Sequence, residues 1–270
     1  MTPAGLEVRG SVAVVTGGGS GIGAALARRF AAEGARVVVN DLDAGAAALV
    51  ADEIGGLAFP GDASDARTVT DLVAFAWDRC DALDIFCANA GVAPSGTAAA
   101  PDEVWELGWQ VNVMAHVRAA RALLPRWLAD GQGRFLATVS AAGLLTLLGK
   151  APYTVTKHAA LAFAEWLRAT YDHRGITVQA LCPQGVRTPM LSQADPASGA
   201  LLDDAAISPE QVAQCVIEAM ADDRFLILPH PEVATYYERR ATDPDRWLRG
   251  MNRTQQDLEK AGLAAGRLLP

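Results

Sequence analysis

No cluster of lysines and arginines marks this sequence: 23 basic residues are outnumbered by 31 acidic ones, for a formal net charge of −8. Nucleic acid or an anionic membrane surface is therefore not the expected main partner. Cysteine is scarce, and the four present, Cys80, Cys87, Cys182 and Cys215, form no C-x-x-C pair. That argues against a disulfide scaffold and a cysteine-held metal, and two of the four lie in apolar runs where a thiol behaves as a small hydrophobe. Reduced cysteines suit a cytoplasmic protein. The uncharged stretch 135–149 is too short and too interrupted by glycine and serine to cross a bilayer. Residues 1–10 carry Glu7 and Arg9 without an apolar centre, so neither an export signal nor a membrane anchor is expected. His116, His158, His173 and His230 are scattered singly and read as surface or packing residues; no metal site is expected.

Hydrophobic residues make up 51% of the 270, enough for a sizeable core. Short runs rich in valine, isoleucine and leucine recur at 12–16, 36–40, 85–88, 134–140, 177–182 and 225–228. Stretches of helical length, such as 24–33 and 101–129, separate most of them. Continuous rather than alternating apolar strands, divided by helices, predict a parallel sheet covered on both faces, a doubly wound α/β (Rossmann) fold. Residues 1–230 show no linker that would split them and are expected to form one domain. Within it, 188–209 is a turn-rich insertion with the composition of a flap. Residues 231–270 follow as a polar C-terminal extension.

Directly after the first run comes TGGGSGIG, residues 16–23, leading into a helix. Glycines there allow a tight turn and a close backbone approach to a pyrophosphate at the positive end of the helix. An acidic residue, Asp41, ends the second run, where a carboxylate accepts from both ribose hydroxyls and repels a 2′-phosphate. NAD is the expected cofactor, with Asp43 the alternative ligand; neither Ser20 nor Leu42 offers the cation a 2′-phosphate needs. Further on, APYTVTKHAALAF places Tyr153 and Lys157 one helical turn apart on one face. Such a pair is either a ring packed on a lysine stem or a phenol whose pKa a cation lowers for proton transfer.

Thr16-Gly17-x-x-x-Gly21-Ile22-Gly23, Asn89-Ala90-Gly91, Asn112, Ser140 and Tyr153-x-x-x-Lys157, in that order, resemble the short-chain dehydrogenase/reductase family over roughly residues 8–230. The resemblance implies that Gly17, Gly21 and Gly23 line the pyrophosphate, Asp41 holds the adenosine ribose and Asp62 faces the adenine amino group. Asn89-Ala90-Gly91 would support the sheet beside the cofactor. Ser20, Ile22, Leu42, Ala63 and Pro183 belong to the same cofactor set, with Thr188 on the nicotinamide amide and Val186 its backbone partner. Tyr153 would be the acid/base, Lys157 would depress its pKa and hold the nicotinamide ribose, Ser140 would bond the substrate oxygen, and Asn112 would anchor a proton-conducting water. The chain departs from the family in CPQGVRTPM, where Gln184 stands at a position usually held by glycine; it reaches the carboxamide, the substrate or solvent.

Ala141, Gly143, Leu144, Leu145, Leu147, Gln184, Met190 and Leu191 are expected on the substrate side. They are mostly apolar and no basic residue stands out among them, which favours a hydrophobic secondary alcohol or ketone. A reductase of 3-oxoacyl thioesters carried by acyl-carrier protein or CoA is the alternative enzyme, and a dinucleotide-binding protein without catalysis the alternative class. The apolar surface of 101–129 and 152–173, with Trp105, Trp109 and Trp166, predicts a homo-oligomer, a tetramer as the resemblance implies. In the extension, Pro231 and Pro244 each precede an acidic residue and predict two helices. Trp247, Leu248, Met251 and Leu258 give the second an apolar stripe that must dock. It either closes a substrate pocket, its own or a neighbour's, or reinforces the oligomer.

Overall fold

The structure, a computed structural model, describes residues 7–193 and 196–263. The chain runs β1 (Val12–Thr16), α1 (Gly21–Ala32), β2 (Arg36–Asp41), α2 (Ala44–Ile54), β3 (Leu57–Pro60), α3 (Ala66–Cys80) and β4 (Ile85–Ala88). Then follow α4 (Asp102–Trp109), a π-helical turn (Gln110–Met114), α5 (Ala115–Asp130), β5 (Gly133–Thr138), α6 (Ala151–Tyr171) and β6 (Ile176–Leu181). The last part holds α7 (Pro189–Ser192), α8 (Pro196–Leu202), α9 (Pro209–Asp222), β7 (Leu226–Ile227), α10 (Glu232–Thr242) and α11 (Pro244–Lys260).

Every residue of β1 and β4 is buried, because helices cover both faces of the sheet. Val12 and Val14 pack into the core with α3, α5 and α6, while Ala13 and Val15 join the core with α1, α2 and α9. The seven strands are all parallel in the order β3-β2-β1-β4-β5-β6-β7. The order reverses between β1 and β4, and at such a switch point the loops after the two strands part and leave a crevice.

Three elements differ from the sequence reading. β3 was not expected; it is a short edge strand, LAFP, half-buried and closed by a proline that an edge position tolerates. The helix expected over 101–129 is broken by the π turn at Gln110–Met114, a local widening that hydrophobic spacing does not reveal. The insertion at 188–209 contains α7 and α8 rather than only turns, its residues 194 and 195 lying outside the described set.

Candidate active site

The loop from β1 to α1 leaves no room for a side chain at its glycines. Gly17 has φ 61°, and a Cβ there would lie 3.0 Å from the Ala90 Cα; at Gly23 it would lie 2.0 Å from the Gly17 carbonyl oxygen. Ser20, at the N-cap of α1, makes no side-chain bond to the first turn, so the helix's first N–H groups remain for an anion. Asn89 locks this loop: Nδ2 donates to the carbonyls of Thr16 (3.0 Å) and Gly17 (3.3 Å), and Oδ1 accepts from Thr138 Oγ1 (3.0 Å).

At the end of β2 the Asp41 carboxylate accepts from the Gly19 N–H (2.9 Å) and the Asp43 N–H (3.0 Å). Asp43 instead caps α2, accepting from the Gly45 and Ala46 N–H groups, and lies off the cavity wall that Asp41 lines. Asp62 turns its own loop, accepting from Ser64 N–H at 2.7 Å. One cavity of about 650 Å³ runs from Asp41, Leu42, Asp62 and Ala63, past Gly17, Ser20, Gly21, Ile22 and Gly23, to Asn89, Ala90 and Gly91. It continues past Ser140, Tyr153, Lys157, Pro183, Val186 and Thr188 to Ala141, Leu145, Gln184, Met190 and Leu191.

Ser140 follows β5, and Tyr153 and Lys157 share one face of α6. Lys157 is buried; its Nζ donates to the Thr138 carbonyl (3.0 Å) and lies near the missing Cβ of Gly91 (3.5 Å). Burial pulls the Lys157 ammonium down to about 8. The Tyr153 phenol is pushed up by burial, against a smaller lowering by a Ser140 hydrogen bond. Burial thus opposes the depression expected from Lys157, whose own hydrogen bond goes to Thr138.

Three expected site residues lie elsewhere. Asn112, in the π turn, is fully buried and off the cavity; Nδ2 donates to the Val92 carbonyl (2.9 Å) and Thr156 Oγ1 (3.1 Å), and Oδ1 accepts from the Val92 N–H (3.0 Å). It staples the loop after β4 to α6. Leu144 turns into the core, and Gly143 packs against the Lys157 backbone.

Other residues bear on the site: Lys150, His230 and Tyr236 had no role in the sequence reading, whereas the stripe holding Trp247 and Met251 was expected to dock, on a substrate pocket or in the oligomer. Lys150 lines the cavity, its Nζ donating to the Ala93 carbonyl (3.3 Å) and Ser95 Oγ (2.9 Å). His230, buried, accepts the Gln184 N–H on Nδ1 (3.2 Å) and so fixes the loop after β6. Tyr236 of α10 and Trp247 and Met251 of α11 line the substrate end. The apolar spacing in the tail held the signal for the last two, although Leu248 points to solvent, 56% exposed.

The match to a family model described as short chain dehydrogenase spans residues 11–199. The chain belongs to the short-chain dehydrogenase family. It is 37% identical over 240 residues to the 1-deoxy-11-beta-hydroxypentalenate dehydrogenase of Streptomyces exfoliatus, covering 84% of this chain and 86% of that protein. To the cyclohexanol dehydrogenase of an Acinetobacter species it is 31% identical over 223 residues, 78% and 88% of the two chains. Its fold superposes with a TM-score of 0.82 on a family member from Burkholderia phymatum solved with NAD, at 28% identity and covering 89% and 96% of the chains. An actinorhodin polyketide ketoreductase solved with NADPH gives a TM-score of 0.76 at 26% identity, covering 81% and 95%. Among the described residues no helix is long and apolar enough to cross a membrane.

Proposed function

We propose that this protein is an NAD-dependent oxidoreductase that interconverts a hydrophobic secondary alcohol and its ketone. The observation that carries the reading is the convergence of Tyr153, Lys157 and Ser140 on the same cavity that Asp41 and the glycine loop line at its other end. That loop fits a dinucleotide, since Gly17 and Gly23 leave the room a Cβ would fill and the α1 N-terminus has uncapped donors. Asp41 supports NAD: none of its cavity-lining neighbours Ser20, Asn40, Leu42, Gly61, Asp62, Ala63 and Ser64 is a cation that would hold a 2′-phosphate.

NAD, when bound, supplies the acceptor for the hydride leaving the alcohol carbon. Tyr153 takes the proton from the alcohol oxygen in oxidation and returns it in reduction, so it must be basic in one direction and acidic in the other. Ser140 donates a hydrogen bond to that oxygen and holds it beside the phenol. Lys157 places a positive charge under the phenol, favouring phenolate as the proton moves. Asn112 keeps the loop carrying Gly91 against Lys157 and thus positions the ammonium. The wall formed by Leu145, Leu147, Met190 and Leu191 suits an apolar substrate body, and relatives are named for cyclohexanol and a hydroxypentalenate.

The reading extends to a homo-oligomer, most simply a tetramer, paired through α4 and α6, where Leu107, Trp109, Val155 and Trp166 are exposed. A cytoplasmic setting agrees with four free cysteines. A panel of cyclic and open-chain secondary alcohols offered with NAD, followed by NADH absorbance, tests the reading; NADH production supports it, and binding of NADH without turnover of any alcohol or ketone would return the protein to the non-catalytic class.

A further inference from the structure

His230 lies beyond the stretch matched by the family model, between β7 and α10. Its backbone is fixed on both sides. β7 pairs with β6, the Cys182 N–H donating to the Ile227 carbonyl at 2.9 Å, and the His230 carbonyl accepts the N–H of Val233, a core residue of α10, at 3.1 Å. The imidazole is buried as well, and its Nδ1 accepts the Gln184 N–H at 3.2 Å. An accepting ring nitrogen carries no proton, so the neutral ring keeps its proton on Nε2, which is buried without a partner among the described residues. The Gln184 backbone is thus the polar anchor of the ring.

The Gln184 N–H and the Pro183 carbonyl belong to one peptide group. Such a group is planar and rigid, so a bond that holds its N–H also sets the direction of its carbonyl. That carbonyl accepts the Ala141 N–H at 2.8 Å and the Ser140 hydroxyl at 3.4 Å. Ser140 Oγ in turn accepts the Ala142 N–H at 3.1 Å. One peptide plane therefore has the His230 imidazole at one edge and the Ser140 segment at the other. The next residues of the same loop are held independently: the Gly185 carbonyl accepts the Ile207 N–H at 3.1 Å, and the Arg187 N–H donates to the Ile207 carbonyl at 2.9 Å. Removing the imidazole acceptor frees the peptide joining Pro183 and Gln184 and leaves Val186 and Thr188 tied down.

We infer that His230 is a positioning residue for Ser140: by accepting the Gln184 N–H it orients the peptide whose carbonyl holds the Ser140 segment, and so sets where the serine hydroxyl meets the substrate oxygen. The inference rests on the oxidoreductase reading above, in which Ser140 bonds the reacting oxygen beside Tyr153. His230 itself is off the cavity wall and acts only through the peptide. A group aimed at a reacting atom loses its effect steeply with displacement, about 10²-fold for about 1 Å.

The test uses the full-length protein, NAD and whichever of cyclohexanol, menthol and borneol the wild type oxidises fastest. His230→Phe keeps a buried ring and removes the acceptor. Its kcat is expected to fall at least about tenfold, while the NADH dissociation constant stays within about twofold of wild type. His230→Asn is smaller and polar but places an amide oxygen where Nδ1 stood, and is expected to restore kcat to within about threefold of wild type. A residue that only filled space would give the opposite order, because phenylalanine packs and asparagine leaves a cavity. A smaller loss of kcat in His230→Phe, a loss of NADH affinity in step with kcat, or a folded His230→Asn no faster than His230→Phe would overturn the inference and leave the oxidoreductase reading in place. Should His230→Phe fail to fold, the asparagine variant decides alone: kcat within about threefold of wild type supports the inference, and a greater loss with NADH affinity intact overturns it. A wild-type protein that oxidises none of the three alcohols and reduces none of the matching ketones would overturn both.

Discussion

Lys157 Nζ lies over the Tyr153 ring, 5.8 Å from its centroid, and gives a hydrogen bond to the Thr138 carbonyl at 3.0 Å. Burial draws this ammonium from its ordinary 10.5 to about 8. The charge is therefore a stability cost of roughly 3 kcal/mol below pH 8, at about 1.4 kcal/mol for each tenfold loss of proton affinity. Between about pH 8 and 10.5 the unfolded chain holds a proton that the folded one has lost, and stability from this group rises with pH. Urea midpoints of the cofactor-free protein at pH 7 and pH 10 should show Lys157→Met gaining on wild type at pH 7 and losing that advantage at pH 10. An advantage independent of pH would show that the ammonium is not strained by burial.

Asn112 makes three hydrogen bonds in a site without water access. Asn112→Ala leaves the Val92 N–H and carbonyl unpaired, at about 1–3 kcal/mol for each unsatisfied group. A lowered urea midpoint together with a larger loss of kcat than of NADH affinity is expected, because the Gly91 loop and Lys157 shift together. Unchanged stability would remove the stapling role.

Asp41→Asn retains an acceptor for the Gly19 N–H and removes the charge. The ratio of kcat/KM for NAD over NADP should fall by about tenfold or more, within the several kcal/mol that a like-charge juxtaposition costs. A wild-type protein that prefers NADP would refute the assignment of Asp41 outright.

Trp109 and Trp166 are 43% and 54% exposed on α4 and α6, two large apolar side chains that a subunit interface would cover. Light scattering at micromolar concentration should give a tetramer, and Trp166→Glu a smaller species. A wild-type monomer would contradict the pairing.

Much of this was legible in the sequence. The central strands were readable because strands buried on both faces are unbroken valine and isoleucine runs, and the glycine loop because its backbone tolerates no side chain. β3 escaped because an edge strand needs neither property. The side-chain partners of Asn112, Val92 and Thr156, were not legible because the π turn that carries it packs on α4, α5 and α6, and no local spacing encodes that. The Tyr153–Lys157 spacing was plain, but the sign of the phenol's shift depends on how dry the site is, which only packing determines. His230 stands far along the chain from Gln184, and nothing in either segment announces their contact.

The proposed chemistry depends first on Tyr153 moving the proton. Tyr153→Phe removes one hydroxyl from a buried ring, so NADH fluorescence titration should return the wild-type affinity. Turnover of whichever secondary alcohol the wild type oxidises best should fall about 10²- to 10⁴-fold, the contribution of general acid/base catalysis. Undiminished kcat in a variant that binds NADH normally would contradict the mechanism.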